Sequence, residues 1–393
     1  MPWKPMDEIA LKLEFVRLAE KRDIPFAELC RRYGISRTNG YKALRRHRAE
    51  GEAGLVPRSR RPKRTPKRLS LAVEERIVAL RTEHPVWGAR KIRKLLERAG
   101  LVPAPAASTI SVVISRRGLA NPVRPEASRP FIRFEHPVPN ALWQMAFKGW
   151  VPTLAGRCYP LTVLDDFSRY SLCLAALPNE RAEGVKGELE KTFRRYGIPD
   201  AMLMDNGAPW GSDYLRQNTI ITVWLMRLGI KVIHSRPYHP QTNGKEERFH
   251  RTLKEEVTST RQWRGLPHCQ QEFDRWRPVY NSERPHEALN FETPATRYRP
   301  SLRPFPDVLA PIRYPEGAAT RTVNSGGRIS FLGQTHFIGK AFRTQPVRLV
   351  EAARPGSFNV FFLRSKVAQI DTRKNEPECV TDVSGTLSPM SPV

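Results

Sequence analysis

The sequence predicts a multidomain chain with all-α helix-turn-helix units in front, a central α/β core and a small SH3-like β-barrel behind. Helically spaced apolar residues dominate positions 1–119. Three consecutive strand-like runs and then alternating helices and strands fill 141–300, and short alternating runs follow 310. At 393 residues the chain has room for two to four domains of about 100–150 residues. It offers no apolar run of about 18 residues to span a bilayer, and its first residues lack a signal-peptide apolar block. The expected setting is therefore cytoplasmic, without a membrane. Five scattered cysteines, never spaced C-x-x-C, argue against a disulfide framework or a zinc knuckle.

Charge points to a polyanionic partner. The 66 Lys and Arg against 39 Asp and Glu leave a net +27. Residues 1–120 hold 28 basic and 12 acidic residues, a net +16, whereas 141–300 hold 23 and 18, a net +5. The front of the chain is the electrostatic handle.

Residues 1–56 read as helix, helix, tight turn, helix. Ile9, Leu13, Val16 and Leu18 give the first helix its apolar face; Gly34 marks the turn and Ser36 is the N-cap of a last helix bearing Arg37, Lys42, Arg45 and Arg46. This is the pattern of a helix-turn-helix whose final helix enters the major groove. The linker 57–69 carries PRSRRPKRTPKR, with seven basic residues and three prolines in twelve, so it is extended. Arg58, Arg60, Arg61, Lys63 and Arg64 suit phosphates or a narrow minor groove. Residues 70–119 repeat the helical architecture: Ser70 caps, Trp87 anchors the core, and Ile92, Leu95 and Leu96 oppose Arg90, Lys91, Arg93 and Lys94. A proline-rich linker occupies 120–140.

The order of the next elements, three antiparallel strands and then alternating helices and strands over 141–300, is that of a ribonuclease-H-like domain. Over 301–372, Ile329, Phe331 and Val367 alternate with Arg328, Ser330 and Lys366, and Gly326-Gly327 offers a hairpin turn. The polar tail 373–393 is expected to be disordered.

Asp205 ends a strand where the apolar run MLMD meets a turn, the usual place for a metal ligand facing a cleft. On a later helix Asn243, Glu247, Arg251 and Lys254 share one face. WQMAFKG (143–149), LTVLDDFSRY (161–170), MLMDNGAPWG (202–211), PYHPQTNGKEERFHRTLK (237–254) and YNSERPHEALNFETPA (280–295) together resemble the integrase catalytic core of retroviruses and of many bacterial insertion-sequence transposases, the DDE transposases. The resemblance implies that Asp205 is the second catalytic carboxylate and Glu247, not Glu246, the third. It places the first in the motif W-Q-x-D, where this chain has Ala146. Such sites hold two Mg²⁺ ions, or Mn²⁺ as substitute, about 3.5–4 Å apart, bridged by that first Asp. Alanine has no oxygen to offer. Ala146 is read as either an introduced knockout or a natural decay of the site. Asp165 and Asp166 are expected to satisfy Arg169 or strand-end backbone groups rather than a metal.

The resemblance further implies that His239, Asn243, Lys245 and His250 surround Glu247, with Lys245 and Arg251 as phosphate contacts. Trp210 is expected to pack the loop after the D-N-G turn. The implied function is a transposase that binds terminal inverted repeats, nicks element ends and joins their 3′-OH to target DNA as a dimer or higher oligomer, this copy being catalytically impaired. The rival reading is a non-enzymatic DNA-binding regulator derived from a transposase. A structure-specific nuclease explains the core but not the two helix-turn-helix units.

Overall fold

The computed structural model describes residues 8–58, 69–121, 135–211, 218–235, 244–259 and 261–373. Arg60, Arg61, Lys63 and Arg64 of the basic linker, His239 and Asn243 of the helix motif, and the tail beyond 373 lie outside the described residues. The chain divides into two compact units, Met1–Leu69 and Ser70–Val393.

The first unit contains α1 (Glu8–Lys21), α2 (Phe26–Arg32) and α3 (Arg37–Glu50). Phe15, Val16, Leu29, Cys30, Leu44 and Leu55 form its core. The hydroxyl of Ser36 accepts a bond from Asn39 N at 3.3 Å, capping α3 as its position in the sequence predicts. Gly40 lets α3 approach its neighbours closely, because a Cβ there would lie 2.8 Å from Cys30 Sγ and 2.9 Å from Phe15.

The second unit opens with α4 (Leu71–Glu83), α5 (Ala89–Arg98) and α6 (Ala107–Arg116), packed around Ile77, Ile92, Leu96 and Ile110. Trp87 is 1% exposed and stacks on His84, so the anchoring role expected of it holds. Ser70 stands at the N-cap of α4, but its hydroxyl makes no cap bond; only its carbonyl accepts, from Val73 N and Glu74 N.

The central sheet comprises β1 (Trp143–Phe147), β2 (Val151–Thr153), β3 (Gly156–Asp165) and β4 (Ser171–Leu177), followed by α7 (Ala182–Tyr196), β5 (Ala201–Met204), α8 (Ile220–Arg227) and β6 (Lys231–His234). β4 lies on one side of β3; β1 and the short β2, which the sequence does not announce, follow one another along its other side. β5 and β6 then add in parallel beyond β1. Helices cover both faces. Trp143, Met145, Val163 and Met202 pack with Phe193 and Trp224, while Leu164 and Leu174 pack with Phe249, Phe273 and Trp276. Burial on both faces is why these strands read as continuous apolar runs instead of alternating ones.

The second face belongs to α9 (Gly244–Leu253), α10 (Leu266–Pro278) and the segment leading to the short α11 (Pro294–Arg297). α9 runs into a π-helical turn, Lys254–Thr258, and α10 into another, Val279–Glu283. The C-terminal region is strand-rich as expected: β7 (Thr320–Thr322), β8 (Arg328–Phe331), β9 (Gln334–Phe337), β10 (Pro346–Glu351), β11 (Ser357–Phe362) and β12 (Ser365–Asp371). Ile329 and Phe331 face inward and Arg328 and Ser330 outward. Among the described residues these strands pair as a four-stranded sheet, β12-β11-β10-β7, and a separate β8-β9 hairpin rather than as one closed barrel. Gly326-Gly327 turns the chain between β7 and β8, which do not pair with each other; the hairpin turn itself is Leu332-Gly333, both at positive φ.

Candidate active site

Parallel pairing of β1 with β5 matches Trp143 with Met202 and Gln144 with Leu203. Ala146 lies two residues beyond Gln144 on β1, and Asp205 follows the last residue of the neighbouring β5, so both stand toward the same end of these adjacent strands. Trp143, Met145, Met202 and Met204 enter one core, and Ala146, the alternate residue on β1, lies on the other face.

The D-N-G turn is held tightly. Gly207 N donates to Asp205 Oδ1 at 2.9 Å and the Trp210 indole N–H donates to the same oxygen at 2.6 Å. Trp210 is buried and stacks on Phe147, the residue after Ala146, so it packs this loop as expected. Asn206 Nδ2 donates to Ser235 O, and His234 Nδ1 lies 3.0 Å from Asp205 O, tying the turn to the end of β6. Gly211 closes it where a Cβ would meet Asn206 O at 2.3 Å. The pattern reading passed over Glu180, in the loop before α7; its pKa is raised first by burial and second by the negative charge of Asp205, so a second carboxylate stands within electrostatic reach. Its distance from the D-N-G motif along the chain hides it from pattern reading.

α9 crosses the face that bears Ala146. Thr162, paired with Ala146 across β1 and β3, has its hydroxyl 2.9 Å from Ala146 O, from Glu246 Oε2 and from His250 Nε2. Glu246 is buried and pushed up to about 8 by desolvation, and burial pulls His250 down to about 3. Glu247, the next residue, is exposed. The helix therefore inserts Glu246 into the protein and presents Glu247 to solvent.

Asp165 and Asp166 are fully buried and engaged. Asp165 accepts from Asn140 N, Ser168 N and the Ser168 hydroxyl. Asp166 accepts from His136 N, Gln144 Nε2 and Lys245 Nζ. Arg169 donates to the Asp166 carbonyl and to Glu135. Lys245 is thus directed at Asp166, and burial lowers its pKa to about 8. Arg251 is exposed. In the first unit Arg37, Lys42 and Arg45 are exposed on α3, Arg46 is half-buried, and Arg58 pairs with Glu50. In the second, Arg90 is exposed, whereas Lys91 is tucked beside Arg284, Glu256 and Glu287, its pKa lowered to about 8 chiefly by burial.

Among the described residues no three His, Cys, Asp or Glu side chains converge to hold a metal. Ala146 supplies no oxygen, and one oxygen of Asp205 already accepts two N–H groups. The residues present do not fit a two-ion site. No described helix is long and apolar enough to cross a membrane.

The fold and the D-N-G and G-K-x-E-R positions define an integrase-type core behind helix-turn-helix units. Integrase core models match residues 136–240 and 228–294, helix-turn-helix and homeodomain-like models match 11–63 and 39–114, and the IS481 family transposase C-terminal domain matches 318–378. The chain thus carries an integrase core and an IS481-type transposase C-terminal domain, and its relatives are insertion-element proteins and retroviral Pol polyproteins. An uncharacterized 39.2 kDa protein of insertion element IS476 from Xanthomonas euvesicatoria is 27% identical over 67% of this chain and 75% of its own length. An IS407 protein of 31.7 kDa from Burkholderia multivorans is 26% identical over 56% of this chain and 78% of its own. The Gag-Pol polyprotein of baboon endogenous virus is 30% identical over 46% of this chain but only 10% of that protein. Two solved chains align more distantly: a simian T-cell lymphotropic virus intasome with a PP2A regulatory subunit (15% identity, 75% of this chain and 94% of that one, TM-score 0.38) and the HTLV-2 integrase catalytic core with magnesium (14%, 42% and 99%, TM-score 0.30).

Proposed function

We propose that this chain binds the terminal inverted repeats of an insertion element and holds them against an integrase-type core built for nicking the ends and joining their 3′-OH groups to target DNA. As its sequence stands, the core is impaired for that transfer. The observation that carries the reading is the adjacency of β1 and β5, which brings Ala146 and Asp205 toward the same end of neighbouring strands, with Ala146 at the position where a bridging carboxylate is needed for two divalent ions. Arg37, Lys42, Arg45 and Arg46 on α3, Arg58, Arg60, Arg61, Lys63 and Arg64 in the basic arm, and Arg90 on α5 are the DNA contacts of the front. Arg251 meets phosphate near the core. Lys245 serves there by holding Asp166, and Lys91 by seating α5 on the core. Transfer needs two ends together, so the working form is a dimer or higher oligomer on paired ends, acting on DNA in the bacterial cytoplasm.

The test is binding of the full chain to a duplex of the repeat flanking its own gene, against a shuffled duplex at moderate salt. Preference for the repeat supports the assignment; equal affinity for both removes it. The alanine at 146 also favours the regulator reading, which holds if intact repeats are missing around the gene and sister copies share the alanine.

A further inference from the structure

One buried carboxylate joins the second helix-turn-helix unit to the core. Glu256 lies in the π-helical turn that continues α9, and its side chain is 8% exposed. Its Oε1 accepts from Trp87 Nε1 at 3.1 Å and from Arg284 Nε at 2.9 Å, and its Oε2 accepts from Trp276 Nε1 at 2.8 Å. Trp87 belongs to the bend before α5; Trp276 and Arg284 belong to the core. Around this centre Arg98 donates to the carbonyls of Glu283 and Phe291 at 3.1 and 2.9 Å, and Lys94 pairs with Glu292 at 3.5 Å.

Two physical points give this contact a purpose. A buried carboxylate with three N–H donors has one low-energy geometry, and removing any partner leaves buried charge or polar groups unmatched. The contact is therefore stiff. In addition, α9 carries Glu247 in its first turn, and the π-helical turn that continues it carries Glu256 nine residues later, a span of roughly 13 Å. The element that presents the third carboxylate is thus the element that holds the helix-turn-helix unit. Docking also consumes part of the basic face of α5. It leaves α6 with an exposed side of Ser108, Thr109, Ser111 and Val112.

We propose that Glu256, with Trp87 and Arg284, is a positioning site that fixes the α4–α6 unit on the core and so sets the distance between the DNA sequence read by that unit and the phosphodiester presented to Asp205 and Glu247. The proposal rests on the end-binding reading above. It assigns the spacing between the recognised sequence and the cut to one buried polar cluster rather than to a flexible linker.

Two measurements on the full-length chain test it. The first needs no DNA: nitroxides on Ser108→Cys and Lys191→Cys, with Cys379→Ser, report the distance from α6 to α7 by pulsed electron resonance. A single narrow distribution is expected, broadening severalfold in Glu256→Ala and to a lesser degree in Trp87→Phe, which keeps an aromatic ring and removes the N–H. The second is hydroxyl-radical footprinting of the repeat duplex. The parent should protect one continuous stretch, whereas Glu256→Ala should keep the reader-proximal protection and lose the core-proximal part. If Glu256→Ala does not fold, Trp87→Phe combined with Arg98→Ala takes its place in both. A narrow distance that survives in the folded variants, or a footprint that keeps both parts, overturns the proposal. A parent that shows the narrow distance but no footprint on the repeat overturns the end-binding reading instead.

Discussion

Ala146 is buried on the face crossed by α9, paired with Thr162 on β3. Ala146→Asp is expected to raise Mg²⁺-dependent strand transfer on pre-nicked repeat DNA by ~10²-fold or more, the several kcal/mol attributed to a metal-bridging group. Adding Glu247→Gln should return it to background. Without metal, repulsion between the introduced carboxylate and Asp205 should lower the melting temperature of the Ala146→Asp variant, and Mg²⁺ should raise it again; robust transfer by the unaltered chain would overturn the site assignment. Protonation offers a second test. His286 donates from Nε2 to Tyr280 O, and its pKa is pushed down to about 3 by burial first and by the positive charge of Arg284 next. Its folded value lies below the unfolded value of about 6.5, so its contribution is complete above pH ~6.5 and is lost as pH falls toward 3. His286→Gln, which retains an N–H donor, should flatten denaturation midpoints against pH in that window, by at most about 1.4 kcal/mol per pH unit. An unchanged slope would mean that His286 does not titrate in this range. Asp205 and Glu247 stand out as candidates in the sequence because each sits in a local motif. Glu256 and Glu180 do not, since what gives them meaning is contact with residues far along the chain: Trp87 and Glu256 are 169 positions apart.

Helix starts show the same contrast between local and distant information. Ser36 and Ser70 occupy equivalent N-cap positions in the sequence, but only Ser36 bonds its helix through the hydroxyl. Ser36→Ala is expected to cost about 1 kcal/mol in the first unit, and Ser70→Ala a few tenths at most. Chemical denaturation of both variants checks this, and equal losses would contradict the geometry described. The sequence disclosed the main strands of the core and its helices because apolar runs of strand length between turn residues have few other uses. It missed β2, which is three residues long and pairs only with the start of β3. It also suggested a hairpin at Gly326-Gly327, where glycines meet the need for a sharp turn but the strands they join enter different sheets. On α5 the basic stripe was visible, yet composition does not distinguish a cation facing phosphate from one facing Glu256 or Glu292. Lys91 and Lys94 face the protein.

The +27 charge is divided between two units. Met1–Leu69 holds 19 basic and 8 acidic residues, a net +11, in less than a fifth of the chain, and the remaining +16 is spread over Ser70–Val393. Counterion release makes the salt dependence of DNA affinity a count of phosphates neutralised, with log K falling against log salt by about 0.9 per phosphate. Because the second unit has its own core and keeps α4–α6 docked through Glu256, a chain beginning at Ser70 is expected to fold cooperatively on its own. It should bind the repeat more weakly than the full chain and with a shallower slope, reduced by about 0.9 for each phosphate that α3 and the basic arm had neutralised. Part of its preference for the repeat over shuffled DNA should remain, because α6 keeps its exposed polar side. Fluorescence anisotropy across a range of salt concentrations, with both chains on both duplexes, gives the two slopes and the two preferences. An identical slope would show that the most basic part of the molecule does not touch the DNA. Complete loss of preference together with a shallower slope would place all sequence reading in the first unit and leave the second as a rigid carrier for the core.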